Sequence, residues 1–177
     1  MNEYVDIFPH EKSRLDNPDM ALLLNSLVDE IMIEGETPLF LQFLGDLESN
    51  NKLDAKSSIS NAAGIYQFTP DEVDTTKRGA IRNAGFDPEY INAIPNDPTK
   101  WTLEQSNIMA LANLFPAVIK GHRGLVDELL SKSFIDDYDM NAWLRLYDDV
   151  WHTKMDVTRY SDEIEENKKR IIEKYSK

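Results

Sequence analysis

Three times this chain sets an asparagine or threonine directly before a proline: Asn17-Pro18, Thr37-Pro38 and Thr69-Pro70. A Ser, Thr or Asn side chain caps the free N–H groups of a first helical turn. Proline has no N–H to satisfy, and its fixed φ suits the first helical position. Each pair therefore reads as a helix start. A fourth start is written differently, as a capping box between Thr102 and Gln105. Starts of this kind, with only seven glycines in 177 residues, confine the chain to a mainly α-helical fold.

The first helix spans the apolar-rich stretch from Met20 to Ile33 and stops near Gly35. The second runs from Thr37-Pro38 through Leu47 to about Ser49, where Asn50 and Asn51 end it. A loop over 50–63 leads to a short extended strip at 64–68, and the helix opened by Thr69-Pro70 fades near Gly85. Proline and asparagine between Asp87 and Pro98 predict a long loop. A helix then runs from Leu103 to about Lys120, bent or shortened at Pro116. Shorter helices are expected at 123–131 and 139–151. A last helix opens at Ser161 with early acids and places Lys168, Lys169 and Arg170 late, as the helix dipole favours. Its apolar face is Ile164, Ile171, Ile172 and Tyr175. The expected organisation is an N-terminal arm, 1–16, and a single domain, 17–177. Within that domain, 37–121 is the motif core and 123–177 holds the C-terminal helices.

Composition removes several function classes. Without cysteine there is neither a disulfide nor a thiolate metal site, and His10, His122 and His152 are too scattered for a histidine cluster. No metal and no cofactor are expected. The 32 acidic side chains outnumber the 19 basic ones, for a net charge of −13, so nucleic acid is not an expected partner. No apolar run approaches a membrane span, and the N-terminus from Met1 to Asp6 has no basic or apolar region of a signal peptide.

One acid stands out by position. On a helical wheel of about 100° per residue with Phe40 at zero, Phe43, Leu44 and Leu47 fall within about 60° of it and form the buried stripe. Glu48 lands at about 80°, on the stripe's edge between Leu41 and Leu44, and Asp46 at about 240°, on the far side. Asp46 is expected to face water with no chemical role. Against Leu and Phe a carboxyl group loses water, which disfavours its charged form and suits a proton donor. Glu48 is thus the candidate general acid, and a plain surface-edge glutamate is the competing reading.

The strip Gly64-Ile65-Tyr66-Gln67-Phe68 follows. Glycine admits close approach to the backbone, and extended residues alternate sides, with Ile65 and Gln67 facing one way and Tyr66 and Phe68 the other. The Gln67 amide both donates and accepts, as sugar hydroxyls or an N-acetyl group require. Phe68 is expected in the core. Tyr66 suits burial and stacking on a sugar ring equally.

At these residues the chain resembles the lytic transglycosylase and goose-type lysozyme superfamily, particularly the soluble-lytic-transglycosylase-like domains of phage virion proteins. Its pattern is a glutamate followed by serine at a helix end, then Gly-Leu-Met-Gln-Phe or a near variant. Here these are Glu48-Ser49 and Gly64–Phe68, with Tyr66 where methionine is common. Leu103-Glu104-Gln105-Ser106-Asn107-Ile108 resembles the family's helix with an "EQ-x-N-I" core. The resemblance covers about 48–115. It implies a lysozyme-like α domain that cuts the bond between N-acetylmuramic acid and N-acetylglucosamine in peptidoglycan glycan strands. Glu48 is then the catalytic residue, and Ser49, Gly64, Ile65, Tyr66 and Gln67 bind substrate.

Hydrolytic relatives often carry aspartates before the glycine and just after the glutamine. Here Ser58 and Thr69 stand there, with Asp54 and Asp71 nearby. The expected outcome is therefore transglycosylation, with Glu48 as single acid/base and 1,6-anhydro ends. A muramidase of the same fold is the alternative, and a structural virion protein with little activity is the alternative of another class. The family's late Ala-Tyr-Asn-Ala-Gly segment is absent, and Tyr147 is carried as the nearest substitute, with Tyr138 and His152 behind it. A phage origin is implied, with other virion or tail proteins as partners. The implied location is the virion, or the host cytoplasm before delivery to the periplasm and cell wall.

Overall fold

The computed structural model describes residues 18–57 and 61–119, together with three isolated positions, Glu166, Lys169 and Glu173. The described part is mainly α-helical. It contains α1 (Pro18–Met32), α2 (Leu39–Ser49), α3 (Pro70–Gly79), α4 (Pro88–Ala93) and α5 (Leu103–Ile119). A π-helical turn, Ala80–Ala84, extends α3, and a 3-10 turn, Pro98–Lys100, precedes α5. Among the described residues no β-strand forms, only isolated antiparallel bridges that pair Ala63 with Lys56 and with Phe68. No described helix is long and apolar enough to cross a membrane.

The core is organised around α5. Every residue from Ser106 to Ala112 is buried, so this helix has no solvated face over two turns and forms the centre of the packing. Helices α1, α2 and α3 pack on it. From α1 come Leu24, Leu27, Val28 and Ile31, at the spacing of a single helical stripe. Phe40, Leu41, Phe43 and Leu44 come from α2, and Phe68 meets Trp101 edge-on with ring centroids 5.2 Å apart. The core position expected for Phe68 is the one found.

Local chemistry sets the helix ends. Thr69 caps α3 in a reciprocal box with Glu72, and Thr102 does the same for α5 with Gln105. Asn50, in the left-handed region, ends α2 as expected. Three expectations need correction. The segment 87–98 is not a continuous loop: Asp87-Pro88 starts α4 and Asp97-Pro98 starts the 3-10 turn, each aspartate accepting a backbone N–H two residues on. Helix α5 has nearly the expected extent, Leu103–Ile119, but Pro116 does not shorten it. Finally, α2 begins one residue later than the Thr37-Pro38 signal implies. Pro38 is its N-cap and has no side-chain acceptor to offer, and the Thr37 hydroxyl accepts from Asn107 instead.

The arm at 1–16, the helices expected at 123–131 and 139–151, and Ser58, Tyr138, Tyr147 and His152 lie outside the described residues. Glu166, Lys169 and Glu173 are helical and exposed, and none belongs to the apolar face expected of the last helix.

Candidate active site

The 64–68 segment is a tight turn, which corrects the expected extended strip. Ala63 and Phe68 exchange backbone hydrogen bonds of 3.0 and 2.9 Å, and residues 64–67 loop between them. Both Gly64, with φ of 82°, and Gln67, with φ of 53°, are left-handed, which no alternating strand accommodates. At Gly64 a Cβ would stand 3.0 Å from Pro98 Cβ and 3.2 Å from its carbonyl oxygen, so positive φ and close approach both demand glycine. The Gln67 backbone and side-chain amides both donate to the Gly64 carbonyl, at 3.2 and 2.8 Å. Its amide is therefore partly committed to shaping the turn.

The turn removes the expected alternation of side chains. Ile65 and Tyr66 are both buried, Tyr66 being 1% exposed, so its ring offers no stacking face to a sugar. Its hydroxyl instead donates to Asn107 Oδ1 at 2.6 Å. Burial pushes this phenol well above the usual tyrosine range, so it stays a donor. Asn107, itself 2% exposed, passes the connection on: its Nδ2 donates to the Thr37 hydroxyl at 2.9 Å. One buried asparagine on α5 thus holds both the turn and the segment leading into α2.

A second tie joins the turn to the acid. Ser49 Oγ donates to the Ile65 carbonyl at 2.7 Å and accepts the Lys52 backbone N–H at 3.2 Å. Glu48, its neighbour on the last turn of α2, is half-buried, as the wheel's edge position predicts. The structure brings Ser49, the chain neighbour of Glu48, to the Gly64–Phe68 turn, and Tyr66 ties that turn to the helix that carries Asn107.

No protein family, curated protein or solved structure matches this chain. The chemistry therefore follows from the atoms alone. They present a half-buried glutamate on the last turn of α2, whose neighbour Ser49 bonds to a hydrogen-bonded turn with Gln67 at its partly open position.

Asp46 departs from expectation. It is 2% exposed instead of facing water, because the chain leaving α2 folds back over it and Asn51 Nδ2 donates to its Oδ1. Asp54 and Asp71 are both exposed, Asp71 in the first turn of α3 where an acid suits the helix dipole. Thr37 and Asn51 entered the sequence reading only as helix-end signals and Asn107 only as part of a motif, while Gly45 did not enter it. The usable signal was the lone Gly45 inside an otherwise apolar helix.

Proposed function

We propose that this chain is a peptidoglycan lytic transglycosylase that cleaves the bond between N-acetylmuramic acid and N-acetylglucosamine, with Glu48 as its single acid/base. The observation that carries this reading is the 2.7 Å bond from Ser49 Oγ to the Ile65 carbonyl. It joins the end of the acid-bearing helix to the turn whose residues resemble the family's substrate strip. The hydrogen bonds that close the turn support it further, since a glycan cleft needs a preorganised wall.

In the proposed reaction Glu48 gives its proton to the glycosidic oxygen as the C1–O bond breaks. The substrate's own N-acetyl group stabilises the positive centre at C1, so a second enzyme carboxylate is not required. Glu48, now a carboxylate, takes the proton of the muramyl C6 hydroxyl as O6 bonds to C1, and the 1,6-anhydro ring closes. Acid–base transfer of this kind contributes about 10²–10⁴-fold in rate. A lysozyme-like domain of phage origin, acting on the cell wall from the virion or after release from the host cytoplasm, fits the same reading.

A second reading has specific support: a virion protein that keeps the fold but has little activity. Tyr66 is buried and the Gln67 amide donates within its own turn, so two of the implied substrate contacts are engaged internally. One experiment separates the readings. Purified protein is incubated with peptidoglycan sacculi and the soluble products are weighed by mass spectrometry. Transglycosylation gives anhydro ends, one water lighter than the ends left by a muramidase, and Glu48→Gln should release nothing while keeping the wild-type circular dichroism. Release by Glu48→Gln at the wild-type rate sinks the assignment. No release by the wild type favours the structural reading.

A further inference from the structure

Glu48 lies on the last turn of a helix, where backbone hydrogen bonds run out and fraying is the default. Here that turn is held from several sides. Asn50 and Asn51 are both left-handed, with φ of 56° and 59°, and their amides donate to the Asp46 and Gly45 carbonyls at 3.2 and 3.1 Å. The Asn51 side chain then folds back along the helix. Its Nδ2 donates to the buried Asp46 carboxylate, and its Oδ1 lies against Gly45, where a Cβ would collide with it. The same Cβ would stand 2.9 Å from Ile65 Cγ2. Gly45 is therefore the spot where both Asn51 and the 64–67 turn press on α2.

Ending a helix takes one left-handed residue, and Asn50 supplies it. The second left-handed asparagine and its side-chain link to Asp46 go beyond termination. They bracket Glu48, two residues after Asp46 and three before Asn51, and they share a contact surface with the turn. We infer that Asn51 and Asp46 form a clasp that positions Glu48 against the 64–67 turn. They are positioning residues for the chemistry proposed above, and the inference rests on that reading.

The test uses dye-labelled peptidoglycan sacculi and the rate of dye release. Asn51→Gly keeps the left-handed backbone and removes only the amide. It should cut kcat at least tenfold while leaving KM within twofold and melting cooperative, because a displacement of about 1 Å at an acid costs on the order of a hundredfold. Combining Asp46→Asn with Asn51→Asp exchanges donor and acceptor across the same pair and should return kcat to within about threefold of wild type. Wild-type kcat in Asn51→Gly overturns the clasp. So does a folded exchange variant no faster than Asn51→Gly, and if Asn51→Gly does not fold, an exchange variant below a tenth of wild-type kcat overturns it equally. Glu48→Gln, run alongside, separates the two levels. If it is inactive and Asn51→Gly is fully active, only the clasp falls. If it is fully active, the glycosidase reading falls and the clasp's role with it.

Discussion

The helix-capping side chains of residues 69–102 and three side chains around α2 and the 64–68 turn, Thr37, Ser49 and Tyr66, are spent in opposite ways. In the first region the capping side chains serve the backbone next door: Thr69 with Glu72, Asp87 with Glu89, Asp97 with Thr99, Thr102 with Gln105. In the second they reach across the fold: Thr37 to Asn107, Tyr66 to Asn107, Ser49 to Ile65. Thr37 shows the diversion most clearly. It stands in the same Thr-Pro setting as Thr69, yet α2 starts without a side-chain cap and the hydroxyl accepts from α5 instead. A cap is worth about 1 kcal/mol, so the region around Glu48 gives up local stability for long-range position.

If that contrast holds, changes at Thr37, Tyr66 and Asn107 should be costly and coupled, while changes at the capping residues of 69–102 should be mild and independent. The largest effect is expected at Asn107. Asn107→Leu leaves the Tyr66 and Thr37 hydroxyls without their partner, and thermal or urea unfolding should show a loss of about 3 kcal/mol. Gly64→Ala comes next, at about 2 kcal/mol by the same measurement, because it combines a left-handed φ with a tight approach to Pro98.

Tyr66→Phe should cost about 1.5 kcal/mol at neutral pH through the unpaired Asn107 oxygen. Its pH dependence is more telling. Burial raises the folded-state value of Tyr66, whereas an unfolded tyrosine titrates at about 10. The tyrosine's contribution is therefore fully present below pH 10 and lost as pH rises above it, when the unfolded chain releases a proton the fold retains. Unfolding curves of wild type and Tyr66→Phe should converge above about pH 10, and parallel curves would contradict the buried bond. Tyr90, raised chiefly by burial and then by Glu104, slopes the same way in both proteins and cancels from the comparison.

In the other region, Thr69→Ala should lose about 1 kcal/mol with unchanged sacculus digestion, and its effect should add to that of Thr102→Ala. The exposed Arg78–Asp74 pair, 2.8 Å apart, should contribute least: Asp74→Ala should shift stability by under about 0.5 kcal/mol. Strong coupling between Thr69→Ala and Thr102→Ala, or additivity between Tyr66→Phe and Thr37→Val, would erase the contrast.

The same division decides what could be read in the sequence. Capping signals act over a few residues, so α1, α3 and α5 were legible in type and nearly in extent. Where they were overlooked, at Asp87-Pro88 and Asp97-Pro98, they were present but outweighed by the density of proline and asparagine. Around Glu48 the sequence was legible only in part. The wheel located its half-buried edge, yet Asp46 looked solvent-facing because a wheel carries no information about chain that folds back from beyond the helix. Nor could the strip's pattern reveal its turn. A left-handed Gln67 goes with its two hydrogen bonds to the Gly64 carbonyl inside the Ala63–Phe68 pairing, not with glutamine's own preference.

Asn107 is separated from Tyr66 by 41 positions and from Thr37 by 70. Closing spans of that length is slower than forming any one of the helices they enclose. During synthesis, α2 and the 64–68 turn emerge well before the residue that joins them. The neighbourhood of Glu48 is therefore among the last parts of the fold to be completed, once α5 has docked. A chain interrupted before residue 107 would carry the acid without the asparagine that ties the turn and the start of α2 to the core.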